Sequence, residues 1–169
     1  MEDNNKRMTR NISLTGVMVA VNVVLGTLIT IPLGPIRAAP VQHLINVIGA
    51  VLTGPWVIVQ AFISSTIRIM MGTGTPFAYP GSMVGALIAW LMYRKFKKLN
   101  FAAAGEVIGT GIFGSLATYP LIMVLGLDTG FFWVLAPAFI VSSLIGAAVS
   151  WLMLSQLEKR NLFEAFRNN

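Results

Sequence analysis

From Ile12 to Ile31 the chain runs for about 20 residues without a charged side chain, the length an α-helix needs to cross the ~30 Å hydrocarbon core of a bilayer. Comparable apolar runs recur through the 169 residues and set what the chain can fold into. Hydrophobic residues make up 56% and charged residues 11%, against about 25% charged in soluble domains. A soluble domain of ~150 residues buries only ~70% of what its unfolded chain exposes, so water offers no place for this much apolar surface. The composition therefore predicts an all-α integral membrane protein. It excludes nucleic-acid modules, secreted disulfide scaffolds and disordered regulators.

Proline and glycine punctuate the runs and place the helix ends. After Ile12–Ile31 comes Pro32-Leu33-Gly34-Pro35, leading to Pro40. The second helix begins near Val41 and stops at Thr53-Gly54-Pro55; the third covers Trp56 to Met71. Both are short for a full crossing. Gly72-Thr73-Gly74-Thr75-Pro76 then breaks the pattern, and the fourth helix starts around Pro80-Gly81 and ends in Tyr93-Arg94-Lys95-Phe96-Lys97-Lys98. The fifth covers about Ala102 to Leu125, and the sixth runs from Phe131 to about Leu157. This predicts a compact six-transmembrane-helix bundle forming a single domain over 1–169, with 1–11 as a cytoplasmic N-terminal segment and 158–169 as a cytoplasmic tail.

Orientation follows from the positive-inside rule. Lys6, Arg7, Arg10, Arg94, Lys95, Lys97, Lys98, Lys159, Arg160 and Arg167 fall on one side, ten of the twelve cationic residues. The opposite loops hold Arg37 alone, and Arg68 lies within the third helix. Both termini are expected in the cytoplasm of a multi-pass cell-membrane protein. Cations before an apolar run also open a signal peptide, but Arg37-Ala38-Ala39 puts arginine where a cleavage site wants a small residue. An uncleaved first helix is expected.

The formal net charge of +6 sits in clusters at segment ends rather than along a phosphate-tracking stripe. With no cysteine there is no thiolate chemistry, and one histidine, His43, is too few for a multi-histidine metal site. No glycine-rich run is followed by Lys-Ser or Lys-Thr, so no ATP-binding loop is present. Neither a metal nor a cofactor is expected.

Small residues recur at four-residue spacing: Gly16 and Ala20; Gly81, Gly85 and Ala89; Gly105 and Gly109; Ser142, Gly146 and Ser150. Such faces let helices approach closely in lipid. Packing inside the bundle accounts for most of them; Gly16 and Ala20 are the pair best suited to a partner protein.

Polar groups gather toward the outer third. Gln42, His43 and Asn46 open the second helix, and Gln60, Ser64 and Arg68 form a stripe that ends about one turn below the outer loop. Tyr119, Trp133, Tyr79, Arg37 and Asp128 reach the same depth. A charge at membrane depth costs roughly 2.5–3.5 kcal/mol on insertion scales and normally faces the bundle interior. Two readings of Arg68 stand: a lock against Asp128, or the wall of a ligand pocket. His43 is equally readable as a packing histidine, and Tyr79, Tyr119 and Trp133 as an interfacial aromatic belt. Together they suit a small planar ligand. Glu106, four residues into the fifth helix as drawn, reads as an interfacial carboxylate answering Lys97 or Lys98. The stretches Ile31–Pro40 and Gly72–Gly81 lie above the polar cluster and read as lids.

Six short helices, a small-residue face on the first and an outward polar pocket resemble the substrate-binding S components of energy-coupling factor (ECF) vitamin transporters. Within that group, Arg37-Ala38-Ala39-Pro40-Val41-Gln42-His43-Leu44-Ile45-Asn46-Val47 resembles the ThiW family. So do Leu52-Thr53-Gly54-Pro55, Arg68 followed by Gly72-Thr73-Gly74-Thr75, and Tyr79-Pro80-Gly81-Ser82-Met83-Val84-Gly85-Ala86-Leu87. The likeness covers most of the chain and is concentrated in residues 37–90. It implies uptake of hydroxyethylthiazole, a thiamine precursor, with a transmembrane T component and two ATPases as partners. The first-helix signature of S components is alanine-rich, whereas here Gly16-Val17-Met18-Val19-Ala20 is followed by Val24; Gly16 still permits close approach.

The expectation is a non-enzymatic binding subunit for a small heterocycle. Tyr119 and Trp133 would stack on the ring, and His43, Asn46 and Arg68 would bind its heteroatom or hydroxyl, with Gln42, Ser64 and Tyr79 alongside. The rivals are an S component for another vitamin or precursor, a small intramembrane enzyme using His43 as a base near Ser64 or Ser65, and an ion-coupled carrier acting alone.

Overall fold

The computed structural model describes residues 2–33 and 36–160, without the side chains of residues 2–4 and 33. Gly34 and Pro35 of the predicted lid, and residues 161–169 of the predicted tail with Arg167, lie outside the described residues. Helix α1 spans Glu2–Leu28, ten residues further toward the N-terminus than the apolar run alone indicates. The chain from Asp3 to Thr15 holds neither proline nor glycine, so nothing in it stops a helix that the apolar segment nucleates.

The predicted lid over 31–40 is a small β-hairpin. Strand β1 (Ile31–Leu33) pairs antiparallel with β2 (Ile36–Ala38), with Ile31 opposite Ala38 and Pro32 opposite Arg37. Pro32 sits on this two-stranded ribbon, which has no inner strand whose ladder a missing N–H would break. Pro40 then opens α2 (Pro40–Leu52), where its lost N–H is one of the helix's unpaired donors anyway.

At Thr53 the chain turns through Gly54, whose φ of +62° suits glycine, and enters α3 (Trp56–Met70). Helix α4 covers Ala78–Phe96 and ends at Lys97 in the left-handed region. Two residues later α5 begins at Leu99, earlier than the predicted Ala102, and continues to Val124. Its middle, Gly109–Gly114, is a π-helical segment. A short 3₁₀ turn (Thr129–Phe131) leads into α6 (Phe132–Lys159).

Six helices thus form an all-α bundle. Among the described residues, three stretches are long and apolar enough to cross a membrane: Asn5–Leu28, Leu99–Val124 and Thr129–Lys159. The short helix α2 packs against each of the other five, and nine of its thirteen residues are buried. Such centrality requires small partners. A Cβ on Gly146 of α6 would land on the Pro40 carbonyl oxygen and 2.8 Å from both His43 Cβ and Leu44 N. The glycines of α4 and α5 meet in the same way, since a Cβ on Gly109 would sit 2.8 Å from Gly85 Cα and one on Gly105 2.9 Å from Ala89 Cα.

Most of the small-residue pairs read from the sequence are therefore internal contacts. Helix α1 differs: it packs on α3 and α2, while Gly16, Ala20 and Val24 face outward and nothing lies within 4 Å of a Cβ built on Gly16. Gly146→Ala should push α6 off α2 at an overpacking cost of about 1–3 kcal/mol, read as a lowered Tm in detergent, whereas Gly16→Ala, free of any clash and favoured by helix propensity, should not lower Tm.

Candidate functional site

At the hairpin end of the bundle, opposite the basic α4–α5 turn, lies a cavity of about 330 Å³, at the lower end of the ~300–1,000 Å³ range of small-molecule pockets. Its roof is the hairpin (Ile36–Ala39) and the α3–α4 loop (Gly72–Thr75). The loop is held down by its own capping: the Thr73 and Gly74 N–H groups donate to the Arg68 carbonyl oxygen at 2.9 and 3.0 Å. The Thr73 hydroxyl also meets that of Thr27 on α1 at 3.1 Å. Gln42 and His43 of α2 and Arg68 of α3 form the polar wall, and Leu135, Ala138, Phe139 and Ser142 of α6 the mostly apolar one.

The polar wall continues into the core. Arg68, 4% exposed, donates from Nη1 to Gln42 Oε1 at 2.9 Å. Gln42 Nε2 lies 3.4 Å from His43 Nε2, and His43 Nδ1 lies 2.8 Å from Glu106 Oε1. Asn46 Nδ2 and the Thr110 hydroxyl reach the same oxygen, each at 3.0 Å. Asn46 also donates to the Ser82 carbonyl oxygen at 3.0 Å, so α2, α4 and α5 share one network. Glu106 is fully buried; the expected contact with Lys97 or Lys98 at the membrane edge is not made. Because α5 starts at Leu99, Glu106 sits two turns inside the helix. Gly85 leaves room for it: a Cβ there would lie 2.8 and 2.9 Å from its two carboxylate oxygens.

Four predicted residues, Gln42, His43, Asn46 and Arg68, are brought together, the first, second and fourth at the cavity and Asn46 one turn beneath it. Ser64 is buried on the α1 side, accepting from Asn22 and donating to the Gln60 carbonyl oxygen. Tyr79 bonds to Thr66 and packs its ring 5.6 Å from Phe62. Tyr119 and Trp133, 41% and 75% exposed, are not brought to the cavity. They flank Phe132 at 6.1 and 5.3 Å on the outer edge of α5 and α6, where an aromatic belt would lie. Asp128 is no lock for Arg68: it caps the 3₁₀ turn by accepting from Gly130 N.

The aromatic side chain that does line the cavity is Phe139, which the sequence reading missed. Its signal was the spacing Leu135, Ala138, Phe139, Ser142, one helix face at intervals of three and four. Glu106 was missed as a site residue because its depth depends on where α5 begins.

The family model of the thiamine-precursor transporter protein ThiW matches residues 12–160. The chain belongs to the ThiW family. No curated protein and no solved structure matches it. As a ThiW protein it is a thiamine-precursor transporter protein, a membrane protein that handles a small molecule. Residues between Ile36 and Thr75, inside the matched span, supply the roof and polar wall of the cavity. Asn46→Leu, which strips a donor from a buried carboxylate, should cost about 1–3 kcal/mol as a fall in Tm. Ser142 Oγ meets no hydrogen-bond partner among the described residues, so Ser142→Ala should stay within about 0.5 kcal/mol of the parent.

Proposed function

We propose that this ThiW chain is the substrate-binding membrane subunit of an ECF-type ATP-driven importer and that it captures hydroxyethylthiazole from outside the cell membrane. The observation that carries the reading is the roofed polar cavity at the end of the bundle away from the basic turn. Its volume suits one small heterocycle, Phe139 supplies a ring face, and Gln42, His43 and Arg68 supply a few placed hydrogen bonds, the make-up of a small-molecule pocket. Trapping would come from the hairpin and the Thr73 loop.

The outward Gly16, Ala20 and Val24 face of α1 is the proposed seat of the transmembrane T component, since close approach at small residues is how helices associate in lipid. ATP hydrolysis by two partner ATPases would then reorient the subunit. Binding rather than catalysis is favoured by the surroundings of His43. Its neighbours are Gln42, Glu106 and Thr110, whereas Ser64 is engaged with Gln60 and Asn22, so no serine nucleophile is paired with it.

Calorimetric titration of the purified protein with hydroxyethylthiazole should show saturable binding. Gln42→Leu and Arg68→Met should each raise Kd at least about tenfold, the equivalent of ~1.4 kcal/mol, while Trp133→Ala should change Kd less than about twofold. In proteoliposomes the chain alone should not accumulate the ligand, and adding the T component and ATPases should make uptake ATP-dependent. Accumulation by the chain alone would instead establish an ion-coupled carrier.

A further inference from the structure

The hydrogen bonds along the cavity wall can run in one direction only. A guanidinium has donors and no acceptor, so Gln42 must turn its carbonyl oxygen to Arg68 Nη1, 2.9 Å away. That leaves the Gln42 amide nitrogen facing His43 Nε2 at 3.4 Å. An amide nitrogen only donates, so Nε2 must offer a lone pair. At the far side of the ring, Glu106 Oε1 already takes the Asn46 donor and is reached by the Thr110 hydroxyl, so it stands as the acceptor of this cluster. His43 Nδ1, 2.8 Å from it, must therefore be the N–H. Each bond fixes the next.

We propose that Glu106 is a positioning residue that never touches the ligand but sets what the ligand must be: it holds His43 in the Nδ1–H tautomer, so that the cavity presents a donor at Arg68 and an acceptor at His43 Nε2. This rests on the small-molecule binding reading above and deepens it. The ligand class is a neutral molecule with an acceptor at one end and a hydroxyl or N–H at the other. It would replace the long Gln42–His43 link, the weakest step in the chain.

His43 is the single histidine of the chain, so ¹⁵N labelling of histidine gives one imidazole to observe with no assignment step. In the ligand-free protein at neutral pH, Nδ1 should appear in the protonated range and Nε2 in the unprotonated range; a protonated Nε2 overturns the proposal whatever binds. In Glu106→Met, which keeps an unbranched side chain but no acceptor, only the long 3.4 Å Gln42 contact still opposes a proton on Nε2, so the Nδ1–H tautomer should lose its dominance, a change that a purely structural role would not produce. An unchanged tautomer in a folded variant overturns the proposal.

On the parent protein, the methyl ether and the ethyl analogue of hydroxyethylthiazole, both lacking the hydroxyl donor, should bind at least about tenfold more weakly than the alcohol. Equal binding of all three overturns the proposal. If hydroxyethylthiazole itself does not bind, the function proposed above fails, while the imidazole signals still confirm or overturn the relay.

Discussion

A carboxyl group buried among the helices governs this bundle. A buried polar group left without partners destabilises a fold by about 1–3 kcal/mol, so the position of Glu106 forces other helices to come to it. His43 and Asn46 arrive from α2, Thr110 from the next turn of α5, and Gly85 of α4 stands aside to admit the carboxylate. The short helix α2 is held at the centre by this requirement as much as by its apolar contacts. Where α2 sits decides where the cavity sits, because Gln42 and His43 are its first exposed-end polar residues.

Arginine and glutamate inside one bundle are usually pictured as a direct pair. Here the two are linked through Gln42 and His43, each of which has both a donor and an acceptor to pass the polarity along. Separating the charges in this way keeps polar atoms available at the cavity wall; a direct pair would consume them. The apolar wall from α6 has no such duty, and Ser142 Oγ meets no hydrogen-bond partner there among the described residues.

Much of this was readable from residue types and spacing. Six apolar runs between Pro/Gly breaks gave six helices, and the grouping of Gln42, His43, Asn46 and Arg68 followed from three- and four-residue intervals on α2 and α3. Three things were not readable. The hairpin at Ile31–Ala38 is a pairing between two three-residue segments, too short for any periodicity to register. Tyr119 and Trp133 share the depth of the cavity, but depth along a helix says nothing about which side of it a ring occupies. Glu106 was misplaced by a three-residue error in the start of α5, enough to turn a buried carboxylate into an apparent surface one.

The unusual winding in the middle of α5 has a geometric consequence of its own. Ala102, Glu106, Thr110, Gly114, Thr118 and Ile122 are all buried, a strict interval of four. On a regular α-helix of 3.6 residues per turn, a stripe with that interval creeps sideways by about 40° at each step, and by Ile122 it would have swung round to the opposite flank. The looser coil at Gly109–Gly114 takes up the slack, acting as a vernier between the two halves. One helix thereby points Glu106 at α2 and still delivers Ile122 to the apolar cluster of Phe77 and Leu135, tying the polar network and that cluster to a single continuous rod.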